Sequence, residues 1–111
     1  MEPRLKTGLV VQAALRLATQ QAIPMVVARR GDADAGAILI KLNRLEHGFV
    51  VLAQARSIEG ELGWLRATGA EPVDEQAAEA YIARQVNRDP DLWVVEIEDR
   101  AGRHLFAGRI L

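Results

Sequence analysis

The sequence predicts an α+β fold, a largely antiparallel sheet of four to six strands with two helices packed on one face. Three observations carry that prediction. Apolar residues recur at spacings of three and four in two separated stretches, residues 5–21 and 72–87, as amphipathic helices require. Short β-branched runs fill the chain between and after them. Most connections between runs are too short for a crossover helix, which favours antiparallel neighbours. The order read along the chain is α-β-β-β-β-α-β, with room for a further C-terminal strand, in a single domain over residues 1–111.

In the first helix Leu5, Leu9, Ala13 and Leu17, joined by Val10 and Ala14, form the apolar face; Lys6, Gln12 and Arg16 lie opposite, and Pro24 prevents continuation. Residues 25–30 read as a short strand. The loop Gly31-Asp32-Ala33-Asp34-Ala35-Gly36 then separates it from a second apolar run, a pattern expected of a hairpin. In residues 37–43, Ile38, Ile40 and Leu42 share one side while Leu39, Lys41 and Asn43 share the other, so one face should be buried and the other partly wet. Glu46-His47-Gly48 reads as a turn leading to a central strand over residues 49–56, and residues 64–67 form a weaker one. Asp74 is placed to cap the second helix and Glu75 to favour its N-terminal dipole; Ala78, Tyr81, Ile82, Gln85 and Val86 fall at helical spacing, and Asp89-Pro90 ends it. Residues 92–98 make the last clear strand. The turn at Asp99-Arg100-Ala101-Gly102 would return residues 103–106 antiparallel to it.

Composition narrows the function. Half the residues are hydrophobic and 26% charged, as in an ordinary globular domain. There is no Cys, hence no disulfide, no thiolate metal site and no thiol nucleophile. No apolar run approaches the length needed to cross a bilayer, and no signal-peptide core follows the N-terminus, so a cytoplasmic location is expected. A net charge of -1 gives no general attraction to nucleic acid or anionic membrane. The charge is nevertheless unevenly spread: residues 1–30 carry five Lys/Arg against Glu2 alone, and residues 71–99 carry nine Asp/Glu against Arg84 and Arg88. Pairing of the two ends within the fold or between subunits follows from that asymmetry.

Several separated motifs, taken together, are specific. Pro3-Arg4-Leu5-Lys6, the loop from Arg29-Arg30-Gly31-Asp32 to Asp34-Ala35-Gly36, Tyr81-Ile82-Ala83-Arg84-Gln85, and the stretch from Asp89-Pro90-Asp91-Leu92-Trp93 through Val94-Val95-Glu96-Ile97-Glu98-Asp99 occur in that order. With them the chain resembles, over almost its whole length, the bacterial domain-of-unknown-function family numbered 1491. That resemblance implies a small single-domain bacterial protein without an assigned activity, and it supplies no catalytic residue to carry over.

The polar constellations read mainly as structure. The 31–36 loop lacks the Lys-Ser or Lys-Thr of a phosphate loop and the ligand count of a calcium loop, so it reads as an acidic turn. Arg29 and Arg30 are the best anion-contacting candidates because guanidinium forks grip phosphate or carboxylate. Strand alternation sends them to opposite faces, however, where they should pair with Asp32 or Asp34 and with an acid such as Glu96. Glu96 and Glu98 share a face and are expected in ion pairs with Lys41, Arg56 or Arg100. His47 and His104 lack metal-ligand spacing and read as exposed turn residues. Ser57 sits in no nucleophile elbow, and Phe49, Trp64, Tyr81, Trp93 and Phe106 fall mostly within apolar runs, where core packing explains them and a stacking platform does not.

Neither a catalytic residue, a metal nor a cofactor is therefore expected. The leading expectation is a non-enzymatic cytoplasmic module that works by protein contact, forming a homodimer through a sheet edge or through the sheet face opposite the helices. On that face Leu39, Val50, Leu52, Leu92 and Val94 would be left partly bare. The alternative is a small anion- or phosphate-binding domain, catalytic or not, using Arg29 and Arg30 with Asp32 and Asp34 at the Gly31 to Gly36 end of the sheet.

Overall fold

The structure, a computed structural model, describes residues 5–111; Pro3 and Arg4 of the opening motif lie outside the described residues. Its elements are α1 (Thr7–Gln20), β1 (Met25–Arg29), β2 (Ile38–Asn43), β3 (Phe49–Arg56), β4 (Leu62–Arg66), α2 (Glu75–Arg88), β5 (Trp93–Glu98) and β6 (Arg109–Ile110). The α+β class and the element order are those expected. Asp74 does cap α2, its carboxylate accepting from the Ala77 amide at 2.8 Å.

One six-stranded sheet runs β1-β5-β2-β3-β4-β6. The β2–β3 and β3–β4 pairs are antiparallel hairpins, and β1 is antiparallel to β5. The sheet is mixed, because β5 runs parallel to β2 and β6 parallel to β4. The 31–36 loop does not close a hairpin: β5 inserts between β1 and β2. Main-chain bonds hold it there, from Asp32 N–H to the Asp91 carbonyl and from Trp93 N–H to the Ala37 carbonyl, both 2.9 Å. Nor does the chain fold back after Gly102. Residues 103–108 cross the sheet instead, and the Trp64 indole N–H fixes them by donating to the Ala107 carbonyl at 3.0 Å.

The helices lie on opposite faces, which corrects the expectation that both cover one. Val11 of α1 packs with Ile38, Ile40, Leu42, Val50, Leu52, Val95 and Ile97, while Leu105 and Phe106 of the crossing segment close the rest of that face. Ala78 and Ile82 of α2 pack on Leu39, Val51, Leu92 and Val94. The reason is alternation: β2, β3 and β5 are apolar on both sides, and a sheet with two apolar faces must be covered twice. Leu39, Val50, Leu52, Leu92 and Val94 are therefore all buried, split between the two sides. Among the described residues no bare apolar sheet face remains for a partner, and the dimer expectation loses that route.

The first helix also turns a different stripe inward. Thr7, Val11, Ala14 and Ala18 are buried, whereas Leu5 and Leu9 are exposed. Apolar residues surround most of α1, so spacing alone left its inner stripe undetermined. The small side chains of Ala14 and Ala18 let the helix axis approach the sheet.

Candidate functional site

The Gly31 to Gly36 loop is a junction that ties together three elements. Its backbone lies against the entry to β5 so closely that a Cβ at either glycine would collide with the Asp91 carbonyl and sit under 3.0 Å from Trp93 Cδ1. Only glycine allows that approach. The Trp93 indole N–H donates to the Asp32 carbonyl at 2.7 Å. On the other side of the loop, the Ala33 and Asp34 carbonyls accept from the Gly8 and Thr7 amides, and the buried Thr7 hydroxyl donates to the Gly36 carbonyl at 2.7 Å. The free amides at the start of α1, which would otherwise suit an anion, are thus partly taken up by the loop.

The four residues singled out in the sequence are close in the chain but do not converge. Asp32 folds back to accept from the Ala35 amide at 2.8 Å, an Asx-type turn. Asp34 meets Lys6 at 3.7 Å on the open surface. Arg29 makes none of the expected carboxylate pairs: Nη1 donates to the Pro90 carbonyl at 2.9 Å and the Leu92 carbonyl at 2.7 Å. Arg30, on the opposite face as alternation required, places its guanidinium 5.5 Å from the Trp93 ring centre. Among the described residues no carboxylate lies within ion-pair distance of either arginine. Beside Arg30, a shallow depression of about 210 Å³ opens between α1 and β1, lined by Val11, Gln12, Leu15, Val27, Arg30 and Trp93.

The densest ionic group, centred on Lys41, was only partly legible in the sequence. Its side chain is 5% exposed and its ammonium meets Glu75 at 2.7 Å, Glu79 at 2.5 Å and, across the β2–β5 pair, Glu96 at 3.7 Å. The Glu96 contact is the cross-strand pair expected. Glu75 and Glu79 were missed as its partners because they reach Lys41 only once α2 lies on that face; their i,i+4 spacing was the available signal. Burial pulls the Lys41 pKa down, but the hydrogen bonds its ammonium donates to Glu75 and Glu79 and the charge of Glu96 outweigh it, and the net shift is upward. The ammonium also lies 5.2 Å from the Phe49 ring centre. A lysine held protonated in this way pins α2 to the sheet and is a poor nucleophile or base.

The remaining charges are paired locally or left free. Arg103 grips Asp99 through two side-chain bonds of 3.0 and 2.9 Å, and its amide adds a third at 2.7 Å. Arg100 pairs with Glu46. His104 is half-buried, not an exposed turn residue: it packs 5.6 Å from the Trp64 ring, and Nδ1 accepts from the Phe106 amide at 3.2 Å. Glu98 has no ion-pair partner among the described residues; with Glu96, Pro24, Met25 and Val26 it lines a second depression of about 180 Å³ beside β1. No three His, Asp or Glu side chains among the described residues gather as metal ligands would. No described helix is long and apolar enough to cross a membrane.

The profile of a family described as "Protein of unknown function (DUF1491)" matches residues 5–107. The chain belongs to this family. A crystal structure of a DUF1491 family protein from Caulobacter crescentus CB15 is similar at 38% identity, with a TM-score of 0.86 over 97% of this chain and 100% of that one. An NMR structure of a DUF1491 family protein from the same organism gives 36% identity and a TM-score of 0.83, with 99% of each chain covered. A solution structure from A. tumefaciens, at 24% identity and a TM-score of 0.75 over 96% of this chain and 95% of that one, shares the fold. No curated protein matches the chain.

Proposed function

We propose that this chain is a non-enzymatic interaction module that pairs with a second copy of itself through the outer edge of β1. The observation that carries the reading is that no described residue pairs with that edge. β1 ends the sheet, and Val26 and Val27 are 56% and 37% exposed. Glu98 N–H donates to the Pro24 carbonyl, and Val26 stands opposite Glu96 two residues on, so Pro24 and Val26 turn their main-chain groups toward β5. Met25 and Val27 then turn theirs outward. An unpaired edge of this kind is a template for another strand.

A second copy fits better than an unrelated peptide because the edge is self-complementary in charge. Arg29 is the last residue of β1, while Glu98 stands beside Pro24 at the other end. Antiparallel pairing about a twofold axis at Val26 sets Met25 of each copy against Val27 of the other, forming about four main-chain hydrogen bonds. The two Val26 side chains then meet across the axis, and each basic end lies beside the partner's acidic one. The bulge between Val27 and Arg29 limits the pairing to this short stretch, so the dimer is weak. The absence of Cys agrees with work in a reducing cytoplasm.

Sedimentation equilibrium from micromolar to millimolar protein tests the reading. The wild type should reach dimer mass, whereas Val27→Pro, which removes an outward amide, and Val26→Lys, which sets like charges face to face, should stay monomeric with unchanged circular dichroism. A monomeric wild type throughout that range, or dimerisation undiminished in both variants, contradicts it.

A further inference from the structure

We infer that the depression between α1 and β1 binds a small monocarboxylate with a hydrophobic body. It rests on a different observation from the self-pairing reading, namely the composition of the depression and the state of Arg30. Its apolar border is formed by Val11, Leu15, Val27 and Trp93, and the polar groups are Gln12 and Arg30. An apolar hollow with one cation and one amide at its margin suits an amphipathic anion, whose body excludes water while its head is fixed by a few donors. At about 210 Å³ it holds a ligand smaller than a nucleotide.

Arg30 is equipped for the head group. It is exposed, no carboxylate of the described residues reaches it, and its guanidinium lies 5.5 Å from the Trp93 ring centre. A guanidinium resting on an aromatic face keeps its N–H edge free for a carboxylate, which it binds through two parallel bonds. Arg29 is excluded from the same task because it is committed to the Pro90 and Leu92 carbonyls. Phosphate fits poorly. A dianion would need more than one cation, and the nearby Thr7 and Gly8 amides are donated to the 31–36 loop. The Trp93 indole N–H, bound to the Asp32 carbonyl, is likewise spent, so it reports on the ligand without holding it.

Titration of the ¹⁵N-labelled protein with phenylacetate, phenylacetamide and inorganic phosphate tests the inference. Phenylacetate should shift the Trp93 indole N–H and the Gln12 and Arg30 amides saturably at millimolar concentration. Phenylacetamide should bind at least about tenfold more weakly, the loss of one charge-assisted contact, and Arg30→Gln should weaken phenylacetate by a similar factor. Arg30 is exposed, so the variant should keep the wild-type spectrum elsewhere. Absence of a saturable shift, equal binding of acid and amide, unaltered affinity in Arg30→Gln, or saturation by phosphate at the same signals would each overturn it.

Discussion

Gly31 and Gly36 make the junction loop possible, and their substitution is the sharpest residue-scale test of the fold. An added methyl at Gly31 meets main chain of β5 and not a movable side-chain end. Gly31→Ala should therefore cost about 1–3 kcal/mol or more in urea unfolding, the usual range for overpacking. Lys41 makes a contrasting case. Removing both partners with Glu75→Gln and Glu79→Gln leaves a buried ammonium with Glu96 alone, and since both carboxylates are more than half exposed the loss should be about 1–3 kcal/mol, below that of a fully buried pair. Lys41→Met removes the buried charge but leaves Glu75, Glu79 and Glu96 gathered without a cation, so it should also cost about 1–3 kcal/mol. Because the Lys41 pKa is raised in the fold, its contribution is complete below 10.5 and fades as pH rises through the higher folded value. The wild-type urea midpoint should fall there and that of Lys41→Met should not. At this scale the opposite directions of Arg29 and Arg30 and the Asp74 cap follow from local pattern, whereas Lys41 was one of several partners open to Glu96 until β5 is set beside β2. The sequence concealed the carbonyl partners of Arg29, since these belong to residues 61 and 63 positions away.

Elements were legible wherever local chemistry decides them. The two helices, the β2–β3 hairpin and the core strands stand close to their expected positions. What periodicity could not assign was the face each helix covers. The missed clue lay in β2, β3 and β5, whose apolar residues occupy both sides; such strands require cover on both faces, and the wet face anticipated from Lys41 and Asn43 is instead where α2 docks. Capping should make that docked helix sensitive to Asp74→Ala, with a loss of about 1 kcal/mol by thermal or urea unfolding. The crossing segment after β5 carries its own pH dependence. Burial holds the His104 pKa below 6.5, and the Arg103 guanidinium holds Asp99 below 3.8. Both folded values are depressed, so both contributions are full above the unfolded pKa and disappear as pH falls. The urea midpoint should drop in two stages, the first beginning near pH 6.5 and the second near pH 3.8. His104→Gln should remove the first stage and leave the second.

At the scale of the whole molecule, topology determines what remains available for function. Inserting β5 between β1 and β2 buries the centre of the sheet and displaces β1 to the rim. That displacement depends on contacts between Asp32, Ala37 and residues 91–93, more than fifty positions apart in the chain, so no local pattern announced it. The same rearrangement removes the bare apolar face on which dimerisation was expected and leaves a bare strand edge in its place. Charge asymmetry was visible from the outset, and the fold sets Arg29 at one end of the edge strand and Glu98 of β5 beside the other. Amide hydrogen exchange at Met25 and Val27, compared between dilute and concentrated protein, measures the occupancy of that edge directly. Self-pairing predicts that protection at these two amides grows with concentration while that of Val26, already bonded to β5, stays constant; unchanged, rapid exchange at both sites in concentrated protein would contradict it.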